Sequence, residues 1–99
     1  MSATVIVPTV VGGPRLERLL ESLAAQTAPA RTIVVDNGST GDAVGATVRR
    51  FDFAKHLRLE ENVGYGRAVN LAARQSSDDT LVLLNDDCVC QPQFVAELV

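Results

Sequence analysis

The sequence predicts an α/β fold in which a mostly parallel sheet lies between two layers of helices. Apolar runs of four or five residues alternate with helical patterns, and no repeat or low-complexity segment interrupts them. Strands and helices that alternate at this spacing imply right-handed crossovers, which place helices on both faces of a parallel sheet. We therefore expect a three-layer α/β/α domain.

The composition is that of one small globular domain. The 99 residues are 46% hydrophobic and 21% charged, with a net charge of −3, so a single modest core over residues 1–99 is expected. Nine Lys and Arg against twelve Asp and Glu argue against nucleic-acid binding. No apolar run approaches the roughly 20 residues of a membrane span, and Cys88 and Cys90 with one distant His56 are too few for a zinc site.

The first two strand–helix units follow from hydrophobic spacing. Residues 4–7 form the first apolar run and residues 32–35 the second, with Gly38 supplying the turn after the second run. Pro14 suits the first turn of the intervening helix. Apolar and small side chains recur at helical spacing after each strand, at Leu16, Leu19, Leu20, Leu23 and Ala24 and then at Val44, Thr47, Val48 and Phe51.

The remaining runs predict the strand order. Residues 56–60 alternate apolar with polar side chains, as an edge strand does, whereas residues 80–84 are continuously apolar and are expected to be buried on both faces. A last amphipathic stretch covers residues 94–99. The predicted order is 3-2-1-4, in which the winding reverses between strands 1 and 4 and a ligand crevice is expected beyond the carboxyl ends of the strands.

Three carboxylates, those of Asp36, Asp86 and Asp87, are expected at that edge of the sheet. They come from separated parts of the chain, and neighbouring Pro8, Thr9, Asn62 and Asn85 add to the polar edge. Adjacent carboxylates about 4 Å apart repel each other by roughly 1 kcal/mol in water. Because Mg²⁺ or Mn²⁺ is bound by one or two carboxylates plus substrate phosphates, such an ion would relieve the repulsion.

The start of the third helix is a candidate anion site. Gly64 and Gly66 open this helix, whose terminal N–H groups favour anions, and Arg67 could add a charged fork to a phosphate. Other nucleotide motifs do not fit. No Gly-Lys pair exists for a P-loop, and a dinucleotide fingerprint would require glycine in place of Val69.

Four stretches resemble, in order and spacing, the N-terminal half of the inverting GT-A glycosyltransferases of family 2, especially the bacterial rhamnosyltransferase-like branch. They are TVIVPTVVGGPRLERLLESLAAQT, TIVVDNGSTGD, NVGYGRAVNLA and LVLLNDD, and they cover nearly all of the chain. The resemblance implies a nucleotide-diphospho-sugar transferase fold with a Rossmann-like sheet. It also implies that residues 1–99 are a truncated donor-binding domain without the acceptor-binding half.

The resemblance assigns roles to the residues at the strand ends. Asp36 would accept a hydrogen bond from the N–H of uracil or thymine, Asp87 would bind the metal, and Asp86 would lie nearer the ribose or sugar. Asn85 stands where the family's D-x-D motif begins with Asp. The other nucleotide-binding residues implied by the resemblance are Pro8, Thr9, Asn62, Gly64, Arg67 and Asn85.

The implied reaction is transfer of a sugar from a UDP- or dTDP-sugar to an acceptor hydroxyl with inversion, assisted by Mg²⁺ or Mn²⁺, in cell-wall polysaccharide synthesis. In the family the general base lies well downstream of the D-x-D segment, so no catalytic residue is assigned within this chain. The isolated chain is expected to bind nucleotide weakly and to transfer little or no sugar.

The resemblance also implies that residues on strand 4 and the last helix are exposed, unless the chain forms a homo-oligomer through that face. The expected location is cytoplasmic, with peripheral attachment to a membrane as an alternative.

Two other functions stay open. One is a nucleotidyltransferase that makes nucleotide sugars, whose Gly-rich loop is faintly similar to the stretch from Gly12 to Arg15, although Pro8 and Thr9 displace that stretch from the strand end. The other is a nucleotide-binding or interaction module that has the fold without catalysis.

Overall fold

The computed structural model describes residues 3–98 as a four-stranded parallel sheet flanked by helices. The strand order β3-β2-β1-β4 confirms the predicted order. Met1, Ser2 and Val99, the last residue of the predicted final helix, lie outside the described residues. The elements are β1 (Ala3–Thr9), α1 (Pro14–Ala24), β2 (Arg31–Asn37), α2 (Ala43–Val48), β3 (Ala54–Leu59), α3 (Tyr65–Ala73), β4 (Thr80–Leu83) and α4 (Phe94–Leu98).

The larger part of the core lies between the sheet and helices α1 and α2. The leucines of α1 recur at helical spacing and are buried against alternate residues of β1 and β2. Pro14 occupies the first turn of α1, as predicted. This cluster comprises Val5, Val7, Leu16, Leu19, Leu20, Leu23, Val34, Val44 and Val48.

The opposite face of the sheet is covered by α3 through small side chains. Ala68 and Ala72 are fully buried against Ile6, Ile33 and Val35. Residues four apart share one face of a helix, so the two alanines let α3 lie close to β1 and β2. None of the helices within residues 3–98 has the length and apolarity needed to cross a membrane.

Strand β4 corrects one prediction. The continuous apolar run was expected to be buried on both faces, but Leu81 is 48% exposed and Leu83 is 45% exposed. The reason is that β4 is an edge strand beside β1, and α3 covers β1 and β2 instead of β4. Leu98 of α4 is exposed as well. The expectation of exposed residues on strand 4 and the last helix is confirmed.

The turn after β2 depends on Gly38, which has φ +79°. An ideal Cβ at this position would lie 2.4 Å from the backbone nitrogen of Asn62 and 2.5 Å from the carbonyl carbon of Glu61. The β2–α2 turn therefore touches the β3–α3 loop at a point where only a hydrogen fits. Gly41 has a similar φ of +72°, but nothing lies within 4 Å of its ideal Cβ.

The two glycines form a matched pair for a stability test. We expect Gly41→Ala to lower the free energy of unfolding by about 1–2 kcal/mol, because an L-residue is strained at positive φ. Gly38→Ala should lower the free energy of unfolding by at least about 1 kcal/mol more than Gly41→Ala, because its methyl group also overpacks a backbone contact. Urea unfolding measures both values. Equal losses in the two variants would show that the close approach at Gly38 carries no energetic weight.

Candidate functional site

A crevice of about 230 Å³ opens at the carboxyl ends of β1 and β2. It lies on the β2 side of β1, beyond the carboxyl ends of the strands, where a crevice was expected. Three of the residues that were assigned to the nucleotide site, Pro8, Thr9 and Asn62, line it. The crevice is lined by Pro8, Thr9, Val10, Asn37, Asn62 and Tyr65.

Asn37 supports one wall of this crevice, a role that was not assigned to it from the sequence, where it was only one of the polar residues at the strand ends. Its buried Oδ1 accepts a hydrogen bond from the backbone N–H of Val63 at 3.0 Å. Its Nδ2 donates two longer bonds of 3.4 Å, to Asn62 Oδ1 and to the carbonyl of Gly64. An Asn-Gly pair after a strand indicates a turn. The pair does not indicate that the Asn37 side chain also holds the next loop.

The start of α3 presents donors toward solvent. Gly64, with φ +87°, is the N-cap residue, and no side chain caps this helix. The Asn62 Oδ1 atom accepts from the Gly64 N–H at 2.9 Å, which ties the loop to the helix start. The Arg67 side chain is exposed and makes no hydrogen bond or ion pair with any of residues 3–98. The predicted anion site thus has a free guanidinium beside uncapped N–H groups.

The two adjacent carboxylates after β4 have different surroundings. Asp86 is 18% exposed, and its Oδ2 lies 2.8 Å from the Thr9 hydroxyl, while Arg15 approaches its Oδ1 at 3.7 Å. Asn85 and Asp87 are exposed, and Asp87 pairs with no side chain in the described part. Thr9 and Arg15 therefore compensate Asp86, and only Asp87 faces solvent without a partner.

The three predicted carboxylates do not meet in one cluster. Within residues 3–98 no three His, Cys, Asp or Glu side chains are grouped so that they could hold a metal ion. Asp36 belongs to a separate buried arrangement. Mg²⁺ and Mn²⁺ are commonly held by one or two carboxylates plus waters and phosphate oxygens, so Asp87 fits such an ion only together with oxygens from a ligand.

Asp36 is fully buried, with 0% of its surface exposed. Its Oδ2 lies 2.8 Å from His56 Nε2, its Oδ1 accepts from the backbone N–H of Ser39 at 3.1 Å, and Arg58 Nη1 is 4.0 Å away. Burial raises the pKa of the carboxyl group, but hydrogen bonds with Ser39 and His56 lower it by more, so the net pKa lies below 3.8.

His56 is the second residue that sequence reasoning missed. From the sequence it is an isolated histidine on an edge strand. The sheet register, however, places Asp36 level with Arg58, and His56 lies two residues before Arg58 on β3. Residues two apart on one strand share a face, so His56 and Arg58 both point toward Asp36. Strand register is set by tertiary packing, and no local signal in residues 54–59 reveals it.

Comparison with known proteins decides the family, because residues 4–99 match glycosyl transferase family 2. The chain belongs to this family. It is 33% identical over 107 residues to an N-acetylglucosaminyl-diphospho-decaprenol L-rhamnosyltransferase of Mycobacterium tuberculosis, a match that covers 96% of this chain and 35% of the relative. The family 2 chain thus spans about a third of the length of that relative.

Two solved structures share the fold of this chain. TarS 1-349 of S. aureus in complex with UDP-GlcNAc superposes with a TM-score of 0.88 at 27% identity, over 99% of this chain and 30% of that one. The mannosyltransferase PcManGT of Pyrobaculum calidifontis, in complex with GDP-Man and Mn²⁺, has a TM-score of 0.80 at 29% identity, over 88% of this chain and 28% of that one. The fold is that of the N-terminal part of GT-A transferases.

The lowered pKa of Asp36 predicts a specific dependence of stability on pH. A carboxyl group whose pKa is lower in the folded state stabilises the fold above its ordinary pKa of 3.8, and this contribution is lost as the pH falls through the folded-state value. Asp36→Asn should cost roughly 1–3 kcal/mol near neutral pH, because a charge-assisted hydrogen bond is lost. The difference from the wild type should shrink below about pH 4.

Urea unfolding of both proteins from about pH 3 to pH 7 measures this difference. Asp52→Asn serves as the control, since Asp52 is exposed and its substitution should leave the pH profile unchanged. A wild-type advantage over Asp36→Asn that stays constant across the range would rule out the ionised carboxylate as its cause.

Proposed function

We propose that this chain is the donor-binding part of a glycosyltransferase that transfers a sugar from a UDP- or dTDP-sugar to an acceptor hydroxyl with inversion. The observation that carries the proposal is a crevice at the carboxyl ends of a family 2 sheet. Asp87, on the segment after β4, and Arg67, in the first turn of α3, are both exposed and unpaired within residues 3–98. TarS structures with UDP and with UDP-GlcNAc support a uridine donor.

The base side of the proposed site consists of Pro8, Thr9 and Asp36. Pro8 and Thr9 line the crevice, and Asp36 lies level with Thr9 on the neighbouring strand. An ionised carboxylate is an acceptor with about four lone-pair positions, so Asp36 suits the N–H of uracil or thymine. Asp36 has no exposed surface, so a base can contact it only after a local shift of the side chains that cover it.

The diphosphate side consists of Asn62, Gly64 and Arg67. The helix start after Gly64 has no side-chain cap, so its N–H groups are available to phosphate oxygens. Asn62 holds the loop in register with this helix start. Arg67, exposed in the first turn, can donate two parallel hydrogen bonds to a phosphate, which adds a charged contact to the weaker effect of the helix end.

The segment after β4 completes the donor site. Asn85 and Asp86 are assigned to the ribose or sugar, and the Thr9 hydroxyl holds Asp86 in place. Asp87, exposed and unpaired within residues 3–98, would hold Mg²⁺ or Mn²⁺ together with the diphosphate. When bound, the ion supplies electrostatic stabilisation to the departing nucleoside diphosphate. The Mn²⁺ in the PcManGT structure with GDP-Man supports this assignment.

Deprotonation of the acceptor hydroxyl requires a general base, and we assign that base to residues outside this chain. The carboxylates at the crevice edge already have other roles, since Asp36 and Asp86 are hydrogen-bonded and Asp87 is the metal ligand. The isolated chain should therefore bind donor nucleotide without efficient transfer. Nucleotide binding without catalysis is the second candidate function, favoured by the 35% share of the rhamnosyltransferase that the chain covers.

The metal assignment predicts that UDP binding depends on Asp87. Mn²⁺ should strengthen UDP binding to the wild type. At saturating Mn²⁺, Asp87→Ala should weaken UDP binding by about tenfold or more, which corresponds to about 1.4 kcal/mol. Without metal, the variant and the wild type should bind UDP equally. Isothermal titration calorimetry with and without Mn²⁺ measures both effects. The exposed Asp52 provides the control Asp52→Ala. Equal Mn²⁺ enhancement in wild type and Asp87→Ala would exclude Asp87 as the ligand.

The base assignment predicts a different pattern for Asp36. Asp36→Ala should weaken UDP binding by a similar factor with and without Mn²⁺, because the acceptor for the base N–H is lost while the metal ligand stays. The amide NMR spectrum checks that the variant is folded. A folded Asp36→Ala protein that binds UDP as tightly as the wild type would show that Asp36 does not contact the base.

A further inference from the structure

The hydrogen bond between His56 and Asp36 has no part in the donor contacts assigned above. Asp36 has no exposed surface, and His56 Nε2 lies 2.8 Å from its Oδ2. An ionised carboxylate placed in a protein interior is stable only when its charge is paired or hydrogen-bonded. The neighbours of Asp36 must therefore supply hydrogen bonds or a positive charge.

The other neighbours of Asp36 leave a distinct task to His56. Ser39 donates its backbone N–H to Oδ1. The Arg58 guanidinium donates to the carbonyls of Ser39 and Gly41 at 3.1 Å and 2.9 Å, and its Nη1 lies 4.0 Å from the carboxylate, beyond hydrogen-bond distance. Within residues 3–98, His56 is therefore the side chain at hydrogen-bond distance from the carboxylate, and Arg58 mainly holds the turn.

The imidazole ring is held between β3 and α2. An ideal Cβ at Gly45 would lie 3.1 Å from His56 Cε1, so the glycine leaves room for the ring. The charged groups around the ring are Asp36 on β2, Arg58 on β3, and Asp42 and Arg49 at the two ends of α2. Asp42 and Arg49 pair with each other, which leaves Asp36 as the hydrogen-bond acceptor for His56.

We propose that His56 is a positioning residue for nucleobase recognition: its Nε2–H holds Asp36 ionised and oriented, so that an unused lone pair of the carboxylate accepts the base N–H. This inference rests on the proposed function. Two of the roughly four lone-pair positions on the carboxylate are taken by Ser39 and His56. The bond forms whenever Nε2 carries a proton, in the neutral tautomer with hydrogen on Nε2 as well as in the imidazolium form.

The arrangement has a consequence for the pH dependence of base recognition. Only an ionised Asp36 presents acceptors alone, because a protonated carboxyl group also carries a hydroxyl donor. Burial raises the pKa of this carboxyl group, and hydrogen bonds with Ser39 and then with His56 lower it. Removing the donor at position 56 should therefore shift the loss of base recognition to higher pH.

The test compares UDP with its N3-methylated analogue, which lacks the base N–H. The variants are His56→Phe, which keeps a ring without a donor, and His56→Gln, which keeps a side-chain N–H donor without an ionisable group. Lys55→Gln is the matched control, because Lys55 is exposed on the same strand and points to the opposite face. NMR titration measures affinities for both nucleotides from about pH 3 to pH 8, a range that includes the ionisation of Asp36.

We expect the wild type, Lys55→Gln and His56→Gln to prefer UDP over the methylated analogue by about tenfold near neutral pH. In His56→Phe this preference should fall to about twofold or less, and the pH at which preference is lost should rise. If the wild type shows the preference and His56→Phe keeps it with the same pH profile, His56 has no positioning role. If the wild type does not bind UDP, the proposed function fails and this inference fails with it.

A measurement on the wild type alone decides the matter if His56→Phe does not fold. His56 is the single histidine of the chain, so its imidazole ¹⁵N resonances are assigned without ambiguity. Saturation with UDP should shift the Nε2 resonance, because the base then shares the carboxylate, whereas the methylated analogue at saturation should shift it much less. Equal shifts with both nucleotides, or no shift with UDP, would overturn the inference.

Discussion

The end of β2 is the point on which the crevice depends, because three consecutive residues there hold different parts of the chain. Asp36 turns toward α2 and accepts from His56 and Ser39. Asn37 turns to the other face and binds the β3–α3 loop through Val63. Gly38 lets that loop approach within contact of the turn. The alternation of side chains along a strand thus connects one strand end to both helical layers.

The charges at this edge are compensated unequally. Asp36 has hydrogen-bond donors, and Asp86 has the Thr9 hydroxyl and the more distant Arg15. Asp87 has neither within residues 3–98. A diphosphate brought beside an unpaired carboxylate is repelled by several kcal/mol at short range in a medium less polar than water. A divalent cation or a guanidinium such as that of Arg67 is the physical means of removing that repulsion, which is why both belong to the proposed site.

Features that follow from the hydrophobic pattern could be predicted from the sequence. Features that depend on strand register and on burial could not. Continuous and alternating runs predicted the strand order, and Pro14 and Gly38 were correctly placed at a helix start and a turn. The hydrophobic pattern of β4 did not predict the exposure of Leu81, because that exposure depends on which strands α3 covers. The pairing of His56 with Asp36 likewise depends on parallel register between β2 and β3, and no local pattern encodes that register.

At the end of β2, the same residues contribute to stability and to the proposed ligand site. Elsewhere in the proposed site, Arg67 and Asp87 are assigned to the ligand alone. Asp36 and Asn37 are buried and hydrogen-bonded to other elements, so substitutions there change the folded population as well as the site. The side chains of Arg67 and Asp87 are exposed and unpaired within the described chain, so substitutions there should change the affinity for the proposed donor without changing the folded population. A loss of affinity at β2 is therefore interpretable only after correction for the unfolded fraction, since a ligand binds the folded state alone. A loss of affinity after substitution of Arg67 or Asp87 would report the proposed contact directly.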